Sequence, residues 1–291
     1  MVMVFTLAVS TAIPYTMPSP TAARQALIAG PNRELDSPAI GHDVDEPIAG
    51  LRHAGAIEDQ FKSRARWRAS LDMIERQVPV TKRRFRTHQE LYTFGQPFET
   101  LHLINSGIFK IVSLAPDGRE RNADFFFDGD WLGFDGIPTG QHSCSCIALD
   151  IGEVWAVRYD DLMLAAAKDP SLLRHVVTAI STQLARNRDI ALSIGTLSAD
   201  ARVADFLLMW AISLAERGRR ADEINVRMSR AEIGTFLCIR LESVSRALAK
   251  LAHHGVIAFN VRGRRDISIP DIAALSHFVQ SDMAPSAQVL Q

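Results

Sequence analysis

The segment 229–265 constrains the fold of this chain more than any other stretch, because it predicts two short helices joined at a turn and then a hairpin. Ser229 and Glu232 have the S-x-x-E spacing of a capping box, in which the serine and glutamate side chains bind free N–H groups at the start of a helix. The pattern breaks near Cys238, and a second helix is predicted over 240–255, ending at a glycine.

The second of these helices is predicted to have two different faces. Apolar side chains recur at i, i+4 and i+7 and form one stripe: Val244, Leu248 and Leu251. Glu242, Ser245 and Arg246 project from the opposite side. Arginine can bind guanine O6 and N7 together, glutamate can accept from cytosine N4, and serine can bind several base edges. The pattern therefore predicts a helix that reads bases in a DNA major groove.

Beyond this helix, alternating apolar residues at 256–261 and 267–269 predict two strands around an arginine-rich turn. Residues 226–265 contain eight Arg and Lys against two Glu, whereas the whole chain has a net charge of −1. Such local positive charge is typical of a surface that meets phosphate. The predicted backbone contacts are Ser229, Arg230, Arg240, Arg262, Arg264 and Arg265.

The segment resembles the winged helix-turn-helix of the CRP/FNR family of bacterial transcription regulators. The E-x-x-S-R order of Glu242, Ser245 and Arg246 is similar to the FNR and FixK branch, since the cyclic-AMP receptor branch has Arg where this chain has Leu241. The resemblance implies a dimer on double-stranded DNA, with TTGAT-like half-sites, and RNA polymerase as a partner. Cys238 stands where the family turn usually has Gly, and a Cβ in a left-handed turn costs roughly 1–2 kcal/mol.

Residues 79–160 predict short antiparallel strands, because turn residues recur between apolar runs. A turn at 105–107 separates two strands, and Pro116-Asp117-Gly118 indicates a hairpin. The stretches 105–107 and 129–134 resemble the cyclic-nucleotide-binding β-roll of the same family. The expected fold class is α+β: an N-terminal antiparallel β-roll of this type, a long dimerisation helix and a C-terminal winged helix-turn-helix.

Between these parts lies an apolar repeat with alternating spacings of four and three, which is the a/d pattern of a two-stranded coiled coil. The repeat consists of Leu173, Val177, Ile180, Leu184, Asn187, Ala191 and Ile194. Asp169-Pro170 is predicted to start the helix and Gly195 to end it. An amphipathic helix packed on its own roll is the competing interpretation.

The family resemblance also bears on effectors. In cyclic-AMP-binding relatives a Glu holds the ribose and an Arg-Ser pair holds the phosphate, but here Phe134 and His142-Ser143 occupy those positions. Three cysteines cannot supply the four thiolates of an iron–sulfur cluster. We therefore expect no cofactor, and a family branch that has no dedicated sensor is the favoured account.

Four alternatives stay open. His142, Cys144 and Cys146 would share one face of a strand and could support redox, haem or small-ligand gating, although small buried core cysteines are more common. Cys238 could also be a redox site beside the predicted reading helix, with burial in the structure the more common case. A metal-dependent cupin-like enzyme and a module that only tethers a partner to DNA are the other classes, but the roll histidines lack paired metal-ligand spacing.

The expected organisation is a disordered extension over 1–50, a helical lead-in and β-roll over 51–168, and a dimerisation helix over 169–197. A winged helix-turn-helix over 198–280 and a flexible tail over 281–291 complete it. The apolar start lacks the basic residues of a signal peptide and is too short to span a bilayer. We therefore predict a cytoplasmic protein without a membrane partner.

Overall fold

The computed structural model describes residues 68, 70–114, 118–259 and 266–283. The predicted wing arginines Arg262, Arg264 and Arg265 and the predicted extension over 1–50 lie outside these residues. So do most of the lead-in before residue 70 and most of the C-terminal tail. Residues 70–77 are helical, and this lead-in helix buries Leu71 and Ile74 against the roll.

The β-roll is built from eight short strands in the described part of the chain. They are β1 (Val80–Phe85), β2 (Glu90–Tyr92), β3 (Thr100–Ser106), β4 (Phe109–Leu114), β5 (Glu120–Phe126), β6 (Trp131–Leu132), β7 (Ser145–Ala148) and β8 (Gly152–Arg158). All pairings are antiparallel, in two four-stranded sheets of order β1-β8-β3-β6 and β2-β7-β4-β5. One apolar core, which includes Phe85, Ile104 and Phe109, draws its buried side chains from both sheets.

Two turns of the roll connect their strands in different ways. The strands on either side of 105–107 belong to different sheets, so this turn passes the chain from one sheet to the other. Gly107 has φ 101°, and a Cβ there would lie 2.8 Å from Gly152 Cα, so the crossing requires glycine. The predicted hairpin is confirmed by the β4–β5 pairing that flanks it, with Leu114 opposite Glu120.

Six helices with defined bounds follow the roll in the described part of the chain. They are α1 (Tyr159–Lys168), α2 (Pro170–Thr196), α3 (Ala199–Ala215), α4 (Arg230–Leu237), α5 (Leu241–His253) and α6 (Ile272–Met283). Asp169 caps α2 by accepting from Ser171 N at 2.8 Å, with Pro170 in the first turn, as predicted. Gly195 lies inside the last turn of α2 rather than ending it.

The C-terminal part combines α3 to α6 with a small sheet, and we call residues 199–283 the head. The sheet has three strands in the described residues, β9 (Glu223–Asn225), β10 (Ala258–Phe259) and β11 (Asp266–Ser268), in the order β10-β11-β9. The predicted hairpin is present as β10 and β11, although each strand is shorter than the alternating pattern indicated. Strand β9 was not predicted, since only Ile224 in it is buried.

The core of the head extends into the roll. Trp210 and Phe206 of α3 and Phe236 of α4 share one buried cluster with Phe125 and Phe127 of the roll. No helix in the described residues is both long and apolar enough to cross a membrane.

Candidate nucleic-acid interface

The first helix of the helix-turn-helix, α4, starts with the predicted capping box. Ser229 N donates to Glu232 Oε2 at 2.8 Å, and Glu232 N donates to Ser229 Oγ at 3.2 Å. The two residues thus satisfy each other's free groups at the helix start. This prediction is confirmed, and it fixes where the helix begins relative to the turn that follows.

The turn between α4 and α5 is tight. Cys238 adopts the left-handed conformation with φ 56°, and Ile239 N donates to Gly234 O at 2.9 Å. A Cβ on Gly234 would lie 2.7 Å from Ile239 O, so the second helix can approach only because that residue is glycine. Cys238 is exposed, and the expectation that it is buried was wrong: at a left-handed cap its side chain leaves the helix pair.

The second helix, α5, has the two faces that its sequence predicts. Val244, Leu248 and Leu251 are buried. Glu242 and Arg246 are exposed, and Ser245 is half-buried. Among the described residues, the Arg246 guanidinium donates from Nη2 to Ser243 Oγ at 3.4 Å, which leaves most of its donors available for another partner. The face opposite the core is therefore polar, accessible and free to enter a groove.

The described candidates for backbone contact lie at the starts of the two helices. Arg240 is exposed at the N-cap of α5. Arg230, in the first turn of α4, donates from Nη1 to Ser245 Oγ at 3.3 Å and lies 5.9 Å over the Phe259 ring. The structure therefore brings Arg230 together with the base-reading candidate Ser245, a pairing that the sequence did not reveal.

A polar contact joins the roll to α4. Lys110 Nζ donates to Glu232 Oε1 at 2.6 Å, and Asn122 Nδ2 donates to Glu232 O at 3.0 Å and to Thr235 Oγ1 at 3.1 Å. Burial alone would raise the pKa of Glu232, but the bonds from Lys110 and Ser229 hold it below its usual value. The capping glutamate is thus also the anchor of the helix-turn-helix on the roll. Nothing in the sequence around Lys110 or Asn122 indicated this contact, because strand β5 carries several polar residues.

The long helix α2 has two apolar stripes. Leu172, Val176 and Ala179 pack against the roll. Another stripe stays exposed in the single chain: Leu173 46%, Val177 51%, Ile180 39% and Leu184 70%. The remaining predicted seam residues, Asn187, Ala191 and Ile194, line a cavity between α2 and the roll. Packing on the roll and an unpartnered apolar face are therefore both present on one helix.

The carboxylate of Asp135 lies among several polar side chains of the roll. It accepts from Ser143 N at 2.9 Å, from Tyr92 OH at 3.4 Å and from Cys144 Sγ at 3.3 Å, and it lies 3.4 Å from His142 Nδ1. Burial would raise the pKa of Asp135, but these hydrogen bonds lower it. The predicted shared face of the H-x-C-x-C string is confirmed, since His142, Cys144 and Cys146 are all buried.

The two roll cysteines are poor candidates for a reactive pair. Burial raises the pKa of the Cys144 thiol, and the Asp135 carboxylate raises it further. Burial, followed by the neighbouring Cys144 and Asp135, raises the pKa of the Cys146 thiol as well. Because the thiolate is the reactive form, both side chains behave as small core residues near neutral pH.

Two protein families match two parts of the chain. The Crp-like helix-turn-helix domain family matches residues 201–278, and the cyclic nucleotide-binding domain family matches residues 82–169. The anaerobic regulatory protein of Pasteurella multocida (strain Pm70) is 30% identical over 204 residues, which are 70% of this chain and 72% of that protein. The fumarate and nitrate reduction regulatory protein of Escherichia coli (strain K12) is 28% identical over 193 residues, 66% and 74% of the two chains.

A solved structure of a transcription regulator has a similar fold. FixK2 from Bradyrhizobium japonicum superimposes with a TM-score of 0.61 at 28% identity, covering 72% of this chain and 100% of that one. Fold and site together define a DNA-binding transcription regulator and not an enzyme. The chain belongs to the CRP/FNR family.

The roll does not fit a cyclic nucleotide, in spite of the family match. The cavity between roll and α2 is lined by two carboxylates, Asp124 and Asp135, and by no Lys, Arg or His from the described residues. His142 and Ser143, at the positions that hold phosphate in cyclic-AMP-binding relatives, bind the Asp135 carboxylate instead. An anionic phosphate would meet negative charge where it needs donors.

Proposed function

We propose that this chain is a cytoplasmic homodimer that reads a palindrome of TTGAT-like half-sites through Glu242, Ser245 and Arg246. The observation that carries the proposal is the two-faced helix α5, with Val244 buried at 0% relative exposure while Glu242 and Arg246 stand exposed. A helix held from one side, with Glu, Ser and Arg on the other, has the chemistry that distinguishes base pairs in the major groove.

The exposed stripe of α2 supports the dimer. Leu173, Val177, Ile180 and Leu184 recur at coiled-coil spacing, and contact with a second copy would remove them from water. A two-fold axis through paired α2 helices would present two α5 helices to half-sites about one helical turn of DNA apart. RNA polymerase is the proposed partner on the promoter, by analogy with the family.

We further propose that DNA binding requires neither cyclic AMP nor an iron–sulfur cluster. The acidic cavity described above supports the first statement. The second rests on the chain's three cysteines, of which Cys144 and Cys146 are buried in the roll and Cys238 is exposed on the head. A four-thiolate cluster needs one more ligand, and these thiols lie on separate parts of the fold.

The test is fluorescence anisotropy of the full-length protein on a TTGAT-N4-ATCAA duplex and on a scrambled duplex at fixed salt. We expect specific binding without added nucleotide, in air and with reductant alike. Arg246→Ala should weaken cognate binding by about 1–3 kcal/mol and leave scrambled binding nearly unchanged, because a base contact carries sequence information and a phosphate contact does not.

Arg158→Ala is the matched control, since Arg158 is an exposed arginine at the end of a roll strand. It should leave both affinities unchanged. Equal weakening of cognate and scrambled binding by Arg246→Ala would make Arg246 a phosphate contact. Binding under only one redox condition would instead favour the redox-gated alternative.

A further inference from the structure

The proposed function makes no use of the cavity between the roll and α2. This cavity has a volume of about 300 Å³ and a mostly apolar wall. Ile111, Phe126, Leu132 and Phe134 line it from the roll, and Ile190 and Ile194 line it from α2. A space of this size and lining suits a small organic molecule with an apolar body.

One buried carboxylate in this wall is only partly satisfied by the residues that the structure describes. Asp124 is 6% exposed, and its Oδ1 accepts from Phe125 N at 2.7 Å. Its Oδ2 has no hydrogen-bond partner among the residues that the structure describes. A buried carboxylate oxygen without a donor is costly, so this position is prepared for a donor that comes from outside the chain.

The charges of the side chains around the cavity indicate which kind of hydrogen-bond donor a ligand should carry. Asp135, the other acidic residue of the wall, is already bound by Ser143, Tyr92 and Cys144. The guanidinium that acts on Asp124 electrostatically is Arg186, and it is bound to both carboxylate oxygens of Asp130. Within the described part of the chain, the cavity wall therefore offers a ligand negative charge and no cationic side chain.

We propose that this cavity binds a small organic cation, a protonated primary amine on an apolar body, whose ammonium group pairs with the Asp124 carboxylate in the cavity wall. The family match names a cyclic nucleotide, and the disagreement between that anion and these carboxylates is what identifies the opposite charge. The apolar body contacts the aromatic and aliphatic wall, and the charge-assisted hydrogen bond gives selectivity.

Strand β5 connects this site to the head. Asp124 and Phe126 line the cavity. Phe125, the residue between them, packs edge-to-face on Phe236 of α4 with ring centroids 4.7 Å apart. A ligand on Asp124 is therefore one residue from the contact that holds the helix-turn-helix on the roll. A change of DNA affinity on amine binding follows, and this consequence rests on the proposed function.

The test uses the full-length protein near neutral pH and three probes of nearly equal size: benzylamine, benzyl alcohol and benzoate. Isothermal titration without DNA measures binding directly, and thermal unfolding gives a second readout. We expect benzylamine to bind at least about tenfold more tightly than either analogue, because only it carries an ammonium group. Since no DNA is present, this outcome is independent of whether the proposed half-site is right.

Asp124→Asn should remove the preference, so that benzylamine and benzyl alcohol bind equally. Asp189→Asn, an exposed aspartate on α2, is the matched control and should keep the preference. If Asp124→Asn fails to fold, the three probes on the wild-type protein still decide the matter. Absence of selective benzylamine binding, equal binding of the alcohol, or tighter binding of benzoate or cyclic AMP would each overturn the proposal.

Discussion

At the scale of single residues, two positions at the turn of the helix-turn-helix have opposite requirements for a side chain. Cys238 holds a left-handed conformation that side chains adopt at a cost, and its thiol is exposed. Gly234, in contrast, has no room for a Cβ against Ile239 O. One position carries a side chain where glycine would be easier, and the other tolerates only glycine.

Cys238→Gly should therefore raise the free energy of unfolding by about 0.5–1 kcal/mol, after the greater freedom of glycine in the unfolded chain is subtracted. Urea denaturation followed by circular dichroism measures it. Gly234→Ala is the reference in the opposite direction and should destabilise the protein. A loss of stability in Cys238→Gly would mean that the thiol makes a stabilising contact in solution.

Asp124 is a residue whose ionisation works against folding. Burial raises its pKa to about 6, although Arg186 and the hydrogen bond from Phe125 N lower it, while Asp130 adds to the rise. The unfolded chain therefore loses this proton first as pH rises, so the contribution of Asp124 to stability falls between about pH 4 and pH 6 and is not regained above.

The asparagine side chain in Asp124→Asn is neutral at every pH and has nearly the same shape as aspartate. Its stability relative to the wild type should therefore increase by roughly 2–3 kcal/mol from pH 4 to pH 7. Denaturation curves of both proteins at a series of pH values give this difference, and other titrating groups cancel in it. A difference that stays flat across the range would show that Asp124 is solvated in solution.

At the scale of elements, α2 carries the clearest prediction. Leu184 is 70% exposed on the proposed dimer seam, and Leu192 is 57% exposed on the same helix but off the seam. Leu184→Glu would place a charge in the dimer contact and should give a monomer that retains its helix content. Leu192→Glu, with the same change in charge, should remain a dimer. Sedimentation velocity distinguishes the two, and identical behaviour of the variants would reject the seam.

The elements also show what the sequence could predict. Local patterns identified the capping box of Ser229 and Glu232, the buried stripe of α5 and the start of α2, because neighbours within one or two helical turns determine them. The same patterns did not reveal that the 105–107 turn changes sheets or that β9 pairs with β11, since those depend on partners far along the chain. The sequence did not separate the α2 stripe that packs on the roll from the seam, because Leu172 and Val176 are adjacent to the seam residues Leu173 and Val177.

At the scale of the whole molecule, the contacts between roll and head lay beyond sequence patterns. Lys110 and Glu232 are separated by 122 positions, and nothing in the sequence around either residue indicates that the other is its partner. Three aromatic rings from different elements, Phe125, Trp210 and Phe236, meet in the same interface. These contacts fix the head on the roll, and their contribution to stability can be measured.

Asp130 is the polar centre of these contacts. Its carboxylate accepts from Arg217 Nη2 at 3.0 Å, from Arg186 Nη2 at 3.2 Å and from Phe127 N at 2.9 Å. Burial would raise the pKa of Asp130, but the two guanidinium groups lower it, so the carboxylate stays charged. One side chain thus ties α2, the segment after α3 and the roll together.

Asp130→Ala should lower the free energy of unfolding by about 3–5 kcal/mol, because two largely buried guanidinium groups lose the carboxylate that binds them both. Among the described residues Arg217 then keeps only Glu216, at 3.6 Å, as an ion-pair partner. Asp189→Ala, which removes an exposed aspartate 4.0 Å from Arg188, should change stability by less than about 0.5 kcal/mol. Urea denaturation followed by both circular dichroism and tryptophan fluorescence measures both variants. If the two losses were equal, the Asp130 network would contribute no more to stability than a surface ion pair does.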